Sequence, residues 1–233
     1  MAPVHFGRYR FAAALSQGRR VLDLACGEGY GVDLLAAAGA SEVVGIDIEA
    51  DVVRAARARY GRKGLTFRVA DALATGEPAA SFDVVVSLET IEHVESGPAL
   101  VAEIARLLRP GGVCVLSTPN RLATGQHNPY HVREYSLPEL ESMLAGSFVV
   151  EGRYAQVPLT PGVRLLRTAY GLAEPLGLVA PLRRVFGLVT GGERWRRRPV
   201  EPTRLSASYR PDGPAQPLYF VLVARRRADT ADR

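Results

Sequence analysis

Val21-Leu22-Asp23-Leu24-Ala25-Cys26-Gly27-Glu28-Gly29-Tyr30-Gly31 is the stretch that decides the fold. It opens with a short apolar run typical of a buried strand, and three glycines then mark a sharp turn. Because glycine lacks a Cβ atom, such a turn can adopt positive φ angles and let a ligand approach the backbone. A helical pattern follows over residues 32–38, whose first N–H groups would face the turn. A strand, a glycine turn and a helix in this order predict a nucleotide-cofactor site.

A second apolar run over residues 43–46 ends in Asp47. An acidic side chain about twenty residues beyond the first glycine can accept two hydrogen bonds from a ribose diol. The glycine spacing is G-x-G-x-G, which differs from the dinucleotide fingerprint. These two segments alone leave NAD and an adenosyl ligand equally open.

Further apolar runs predict strands over residues 65–70, 82–88 and 113–118, with helical patterns over 50–60 and 98–108. Continuous apolar strands that alternate with helices indicate a parallel sheet buried on both faces. Beyond them, Ser136-Leu137-Pro138-Glu139 predicts a capping box for a helix that ends near residue 144. Two last strands are predicted over residues 148–154 and 218–224.

This series of segments resembles the class I S-adenosylmethionine (SAM) dependent methyltransferases over roughly residues 5–155. The resemblance implies an α/β, Rossmann-like fold with a seven-stranded, mostly parallel sheet, an antiparallel strand 7 and helices on both faces. It implies SAM as the cofactor, with the glycine turn on the methionine part, Asp47 on the ribose and Ile48 on the adenine. The candidate cofactor-binding residues are Arg8, Tyr9, Asp23, Ala25, Gly27, Gly29, Asp47, Ile48, Asp71, Ala72 and Leu88.

The chain of 233 residues is 47% hydrophobic, enough for a sizeable core. We expect a cofactor-binding core with a lead-in helix over residues 1–155, an arginine-rich helical insertion over 156–217, and a last strand with a frayed tail over 218–233. The first part holds 15 basic and 18 acidic residues, a charge of −3, and the rest holds 14 and 6, a charge of +8. The local excess of arginine predicts a cap on the substrate pocket, or contact with a membrane surface or phosphate.

Cys26 and Cys114 lie far apart in apolar, strand-like contexts, so we expect buried free thiols rather than a disulfide or a cysteine zinc site. Free thiols suit a reducing cytoplasm. The sequence shows no signal-type apolar segment and no run of transmembrane length, which leads us to expect a cytoplasmic protein. A homodimer is compatible with these features.

Glu89-Thr90-Ile91-Glu92-His93 follows the fourth strand directly. On one helical turn, the side chains of Glu89, Glu92 and His93 would share a face because they are three and four residues apart. Two carboxylates and an imidazole suit Mg²⁺, Mn²⁺ or Zn²⁺. A second polar group follows the fifth strand, and its members are Asn120, His127, Asn128, Tyr130, His131 and Arg133.

The Glu-x-x-Glu-His pattern is similar to that of the ubiquinone-biosynthesis O-methyltransferases. Small-RNA 3′-terminal 2′-O-methyltransferases share this pattern and hold a divalent metal, which implies a metal set of Glu89, Glu92, His93 and His131. The loop after strand 5 looks most like methyltransferases from saccharide and natural-product pathways. The alternative without a metal uses His93 or His131 as a base, with Glu89 assisting catalysis.

Together these features predict a SAM-dependent methyltransferase that acts on a hydroxyl of a small molecule, such as a sugar or a phenolic unit of a natural product. The alternatives are a SAM-binding cyclase of the same fold, an RNA ribose 2′-O-methyltransferase and an enzyme of lipid-linked substrates. A nucleic-acid partner is disfavoured because no RNA-binding module is evident in the sequence.

Overall fold

The computed structural model describes residues 3–124, 128–158, 201–205, 209 and 216–228. These ranges contain six helices and eight strands. The helices are α1 (Pro3–Ala13), α2 (Tyr30–Ala37), α3 (Ala50–Tyr60), α4 (Gly97–Leu107), α5 (Arg121–Thr124) and α6 (Leu137–Leu144). The strands are β1 (Arg20–Leu24), β2 (Glu42–Asp47), β3 (Leu65–Val69), β4 (Phe82–Leu88), β5 (Leu108–Pro119), β6 (Phe148–Pro158), β7 (Thr203–Arg204) and β8 (Pro217–Arg226).

One sheet contains all eight strands, in the order β3-β2-β1-β4-β5-β8-β6-β7. The first five are parallel neighbours. Strand β8 inserts between β5 and β6 and is antiparallel to both. The predicted Rossmann-like sheet with an antiparallel last strand is therefore confirmed.

The sheet has one strand more than the seven predicted. The additional strand is β7, whose two residues pair with Tyr154 and Ala155 of β6. It lies in the range predicted as a helical insertion. The strand was not predicted because two extended residues beside an open sheet edge carry no distinctive sequence pattern. Most of the predicted insertion, with its arginine-rich run, lies outside the described residues.

Strand β5 starts earlier than predicted. Phe82 of β4 pairs with Leu108, and the next pair is Val84 with Val113, so the ladder is irregular between them. The sequence Arg109-Pro110-Gly111-Gly112, which falls between the helix predicted over 98–108 and the strand predicted over 113–118, forms this irregular part of the strand. A proline and two glycines are tolerated there because residues in a bulge need not form the regular hydrogen bonds of the strand pair.

Side chains alternate between two core layers. On one face, α1, α2 and α3 cover residues such as Val21, Val43 and Val86. On the other face, α4 and α6 cover Leu22 and Leu116 among others. Helix α6 begins at the predicted capping box, in which the backbone N–H and hydroxyl of Ser136 both donate to Glu139.

Both cysteines are buried free thiols, as predicted. Burial raises the pKa of the Cys114 thiol to about 12. Within the part of the chain that the structure describes, every helix is too short or too polar to cross a membrane.

Candidate functional site

The parallel strands β1, β2, β4 and β5 all end at the same edge of the sheet, and the loops after them carry the predicted site residues. In α/β sheets of this type, ligands bind outside the carboxyl ends of the strands. The edge has two parts. The glycine turn after β1 lies under α1, and the polar residues after β4 and β5 form the second part.

The glycine turn after β1 depends on positive φ angles. Ala25, Gly27 and Gly29 have φ values of 65°, 51° and 81°. A Cβ atom on Gly29 would lie 2.7 Å from the Cβ of Ala56 and 2.8 Å from the ring of Phe67. Glycine is therefore required at this position by both the backbone angle and the packing.

The third glycine of the motif serves the fold rather than a ligand. A Cβ atom on Gly31 would collide with the ring of Tyr9, which is buried between α1 and α2. The Tyr9 hydroxyl donates to both carboxylate oxygens of Asp23, at 3.1 and 3.0 Å. Burial raises the pKa of Asp23 to about 7. Tyr9 and Asp23, both predicted to contact the cofactor, thus form a buried pair behind the turn.

Asp47 ends β2 and holds the glycine turn in place. One carboxylate oxygen accepts from the Gly27 N–H at 2.8 Å, and the other accepts from the Glu49 N–H at 3.1 Å. Each oxygen retains a lone pair for a further donor, as binding of a ribose diol requires. Ile48 is 64% exposed beside it, an unusual position for a large apolar side chain and a suitable surface for an adenine ring.

Three further predicted cofactor residues lie along the same edge. Asp71 follows β3, is exposed and accepts from the Leu73 N–H at 2.8 Å. Ala72 packs against the core, and Leu88 is buried at the end of β4. The roles of these residues toward SAM stay predictions.

Arg8 is buried with only 1% of its surface exposed. Its guanidinium forms an ion pair with Glu89, donates to the Gln156 side chain at 2.9 Å, and lies 4.4 Å from the ring centre of Tyr219. Glu89 directly follows β4, and the other two partners lie in β6 and β8. Arg8 therefore links α1 to the loop after β4 and to strands β6 and β8 at the ligand-binding edge of the sheet.

His5 and Tyr30 belong to this part of the edge and were absent from the predicted site. His5 Nδ1 is hydrogen-bonded to the Tyr30 hydroxyl, and both rings contact Tyr9 edge to face. Burial, with a smaller contribution from the charge of Arg8, lowers the pKa of His5. The sequence signal was available, because His5, Arg8 and Tyr9 are three and four residues apart and share a face of α1.

The second part of the edge brings together Glu92, His93 and His131. One potential metal-ligand atom from each lies within 4.8 Å of the other two. Glu92 is fully buried, its Oε2 accepts from the Thr118 hydroxyl at 3.0 Å, and burial raises its pKa to about 8. Its Oε1 is buried and has no hydrogen-bond partner. Buried carboxylate oxygens normally have partners, so this atom fits a ligand or a cation.

The two histidines differ in which ring atoms are available. His93 Nδ1 donates to the Tyr130 carbonyl oxygen at 2.8 Å, because a carbonyl can only accept. His131 Nδ1 is paired with Glu134 at 2.7 Å, and its Nε2 lies 2.9 Å from the Asn128 amide nitrogen. With its proton on Nδ1, His93 therefore keeps the Nε2 lone pair for a ligand, whereas Nε2 of His131 already accepts a hydrogen bond from the Asn128 amide.

The prediction that Glu89, Glu92 and His93 share one helical face is wrong. Residues 91–95 form turns and a bend rather than a helix. Glu89 has a φ of 55°, which breaks the helical path directly after β4. Its carboxylate faces Arg8 and is not a member of the group that Glu92, His93 and His131 form among the described residues.

The loop after β5 was predicted as one polar group, but its members have different roles. Asn120 is fully buried, and its amide nitrogen donates to Gln216 and to the Pro217 carbonyl oxygen at 3.1 and 3.0 Å. It therefore joins the end of β5 to β8. Tyr130 is 80% exposed beside the histidines. His127 lies outside the described residues.

Comparison with known proteins finds similar sequences for the core of the chain. Residues 22–116 match a family described as a methyltransferase domain. A probable SAM-dependent methyltransferase of Mycolicibacterium smegmatis is 42% identical over 149 residues, which are 61% of this chain and 57% of that protein. A ubiquinone biosynthesis O-methyltransferase of Chelativorans is 35% identical over 119 residues, 50% of this chain and 47% of that protein. The matched region thus spans about half the length of these relatives.

A solved structure supports the fold. A SAM-dependent methyltransferase from Mesorhizobium loti superimposes with a TM-score of 0.59 at 21% identity, covering 92% of this chain and 96% of that one. Residues 22–116 are therefore similar to a methyltransferase-domain family, and the chain has the fold of the class I SAM-dependent methyltransferases.

Proposed function

We propose that the chain transfers the methyl group of SAM to a hydroxyl of a small molecule, such as a sugar or a phenolic unit of a natural product. The methyltransferase domain supports the cofactor and the transfer. Relatives described as ubiquinone biosynthesis O-methyltransferases support oxygen as the methyl acceptor. The observation that carries the proposal is the hydrogen bond from His93 Nδ1 to the Tyr130 carbonyl oxygen.

This hydrogen bond orients His93 as a base. With its proton on Nδ1, the His93 imidazole has its lone pair on Nε2. A ring nitrogen of His93 lies within 4.8 Å of ligand atoms of Glu92 and His131. A hydroxyl that attacks a methyl group must lose its proton, and a positioned imidazole can receive it. His93 Nε2 takes the acceptor proton, and the Tyr130 carbonyl stabilises the resulting imidazolium through Nδ1. Bound SAM supplies the electrophilic methyl group, which bonds to the acceptor oxygen as its bond to sulfur breaks.

A metal-assisted form of the proposal uses Glu92, His93 and His131 as ligands. The buried, unpartnered Oε1 of Glu92 fits such a role, since a cation would satisfy it and favour its ionised form. A bound divalent cation would supply Lewis-acid polarisation of the acceptor oxygen. His131 would have to release the Asn128 amide from Nε2 to become a ligand.

The test is formation of S-adenosylhomocysteine from SAM with a panel of catechol, phenol and saccharide acceptors. We expect His93→Ala to lower turnover about 10²- to 10⁴-fold with SAM affinity retained, the range for loss of a general base. His131→Ala and a chelator separate the two forms. If His93 acts as a base without a metal, the wild-type protein keeps its activity in chelator. If a metal assists, the wild-type protein loses its activity in chelator and regains it when Mg²⁺ or Mn²⁺ is added. In that case both the His93→Ala and the His131→Ala variants also lose activity.

Two outcomes would contradict the proposal. Wild-type turnover in His93→Ala would remove the proposed role of His93. Conversion of an acceptor with no S-adenosylhomocysteine formed would instead indicate a cyclase that binds SAM without transferring its methyl group.

A further inference from the structure

Exposed apolar side chains are concentrated at the ligand-binding edge of the sheet. In the part of the chain that the structure describes, the exposed large apolar residues are Ile48, Val69, Leu122, Tyr130, Val132 and Val149. The first two lie at the ends of β2 and β3, and the next three follow β5, so five of the six are at this edge. Grouped apolar exposure, unlike single scattered residues, is typical of a ligand-binding surface. The group after β5 therefore needs a ligand of its own.

The backbone around Tyr130 and Val132 is fixed by hydrogen bonds. The Tyr130 N–H donates to Asn128 Oδ1 at 3.1 Å, and its carbonyl oxygen accepts from His93 at 2.8 Å. The Val132 N–H donates to the Glu92 carbonyl oxygen at 2.8 Å. Tyr130 is nevertheless 80% exposed and Val132 60% exposed. A ligand that covers these side chains removes apolar surface from water without first having to order the backbone.

The same hydrogen bonds place the two side chains beside the proposed base. His93 is itself exposed and is bonded to Tyr130, while Val132 is bonded to Glu92, the residue before His93. An acceptor whose hydroxyl reaches the His93 ring therefore has Tyr130 and Val132 as neighbours for the rest of its body. The acceptor that suits these neighbours carries its hydroxyl on an apolar body.

A phenol satisfies both the surface and the base. Its aromatic ring gains from apolar contact and from ring packing against Tyr130. A phenolic hydroxyl has a pKa near 10, so an imidazole needs to provide only modest help in removing its proton. A sugar hydroxyl is far less acidic, and a sugar leaves more polar surface to be satisfied at an apolar site.

We propose that Tyr130 and Val132 bind the body of the acceptor and that the acceptor is a phenol whose ring lies against Tyr130. This inference rests on the proposed function, because it assumes that His93 is the base at this site. It selects the phenolic unit from the two acceptor classes given there. Both residues determine specificity and take no part in the proton transfer.

The test measures acceptor binding without turnover. Calorimetry follows binding of catechol and of methyl glucoside to the protein saturated with S-adenosylhomocysteine. We expect the glucoside to bind at least about tenfold more weakly than catechol. Tyr130→Ala should weaken catechol about five- to tenfold, whereas Tyr130→Phe keeps the ring and should stay within about twofold of the wild type. An unchanged affinity for S-adenosylhomocysteine shows that each variant keeps a folded cofactor site.

A matched pair of valine variants gives the control. Val149 is 48% exposed and pairs with Arg225, which pairs in turn with Val113 near the amino edge of the parallel strands. Val149→Ala thus removes the same atoms as Val132→Ala at the opposite edge of the sheet. We expect Val132→Ala to weaken catechol about two- to fivefold and Val149→Ala to leave its affinity unchanged.

Three results with a protein that binds S-adenosylhomocysteine would overturn the inference and leave the proposed function in place. They are methyl glucoside binding as tightly as catechol, absence of catechol binding, and a wild-type affinity for catechol in Tyr130→Ala. Failure of the wild-type protein to bind S-adenosylhomocysteine would overturn the proposed function and this inference with it.

Discussion

The glycine turn after β1 and the loop after β5 both line the ligand-binding edge, but different forces shape them. The turn is set by backbone angles and close packing, with Gly29 against Ala56 and Phe67. The loop is set by side-chain hydrogen bonds, such as those of Asn120 and His131. The first kind of structure tolerates almost no substitution at its key positions, whereas the second is held by several bonds that can be removed singly.

The largest effect is expected where the turn is most crowded. Gly29→Ala combines a left-handed backbone with overpacking and should destabilise the protein by about 2–5 kcal/mol, while Gly27→Ala, with nothing within 4 Å of its Cβ position, should cost about 1–2 kcal/mol. Urea unfolding of both variants measures the difference. Equal costs at the two glycines would show that packing against Phe67 does not constrain the turn.

The buried Tyr9–Asp23 pair gives the turn region its own pH dependence. Because folding raises the pKa of Asp23 from 3.8 to about 7, the folded state binds more protons between these values and its stability falls as the pH rises through this window. Asp23→Asn keeps an acceptor for Tyr9 and removes this dependence. From pH 5 to pH 8 the free energy of unfolding of the wild type should therefore fall by at most about 3 kcal/mol more than that of the variant.

Unfolding free energies of both proteins at several pH values make this comparison. The buried Glu92 contributes with the same sign, but it is present in both proteins and its effect cancels. Parallel pH profiles would show that Asp23 is ionised in the folded protein at neutral pH.

The smallest effect is expected where the β5 loop meets α6. Ser136→Ala removes the hydroxyl that donates to Glu139 and should cost about 1 kcal/mol. The two hydrogen bonds from Ser136 are the leading causes that lower the pKa of Glu139 to about 2, so the cost should shrink as the pH falls below about 4. Ser142→Ala, at an exposed position of the same helix, is the control in thermal unfolding. A cost that is unchanged at pH 2 would contradict this account.

The turn and its strands were predictable from the sequence because their signals are local. Apolar runs, glycine spacing and the Ser136–Glu139 box each fall within a few residues. The predicted strands, turn and box all formed, although β5 starts earlier than predicted. The placement of Glu89 was not predictable in this way. Its partner Arg8 is 81 residues away, and the positive φ of Glu89 sends it away from Glu92, which is only three residues further along. Helical spacing does not predict which side chains lie together where the backbone is not helical.

The second part of the edge, formed by the residues after β4 and β5, was also only partly predictable from local sequence. Residue types after β4 and β5 identified the polar group, and the structure brings three of its predicted metal ligands together. Which histidine keeps a free ring nitrogen depends on Tyr130, Asn128 and Glu134, whose positions follow from the folded loop. Local patterns therefore name candidates for the chemistry, and tertiary contacts choose among them.

The position of β8 has a consequence for how the chain is made. Strand β6 leaves the ribosome well before β8, yet in the described sheet it reaches β5 only through β8. Until residues 217–226 emerge, both β5 and β6 have open edges that can pair with other chains. Pairing across about a hundred residues is also slow, because loop closure precedes any gain from contacts. During synthesis the five parallel strands are therefore present before β8 can pair with β5. We expect the protein to depend on chaperones mainly at this stage.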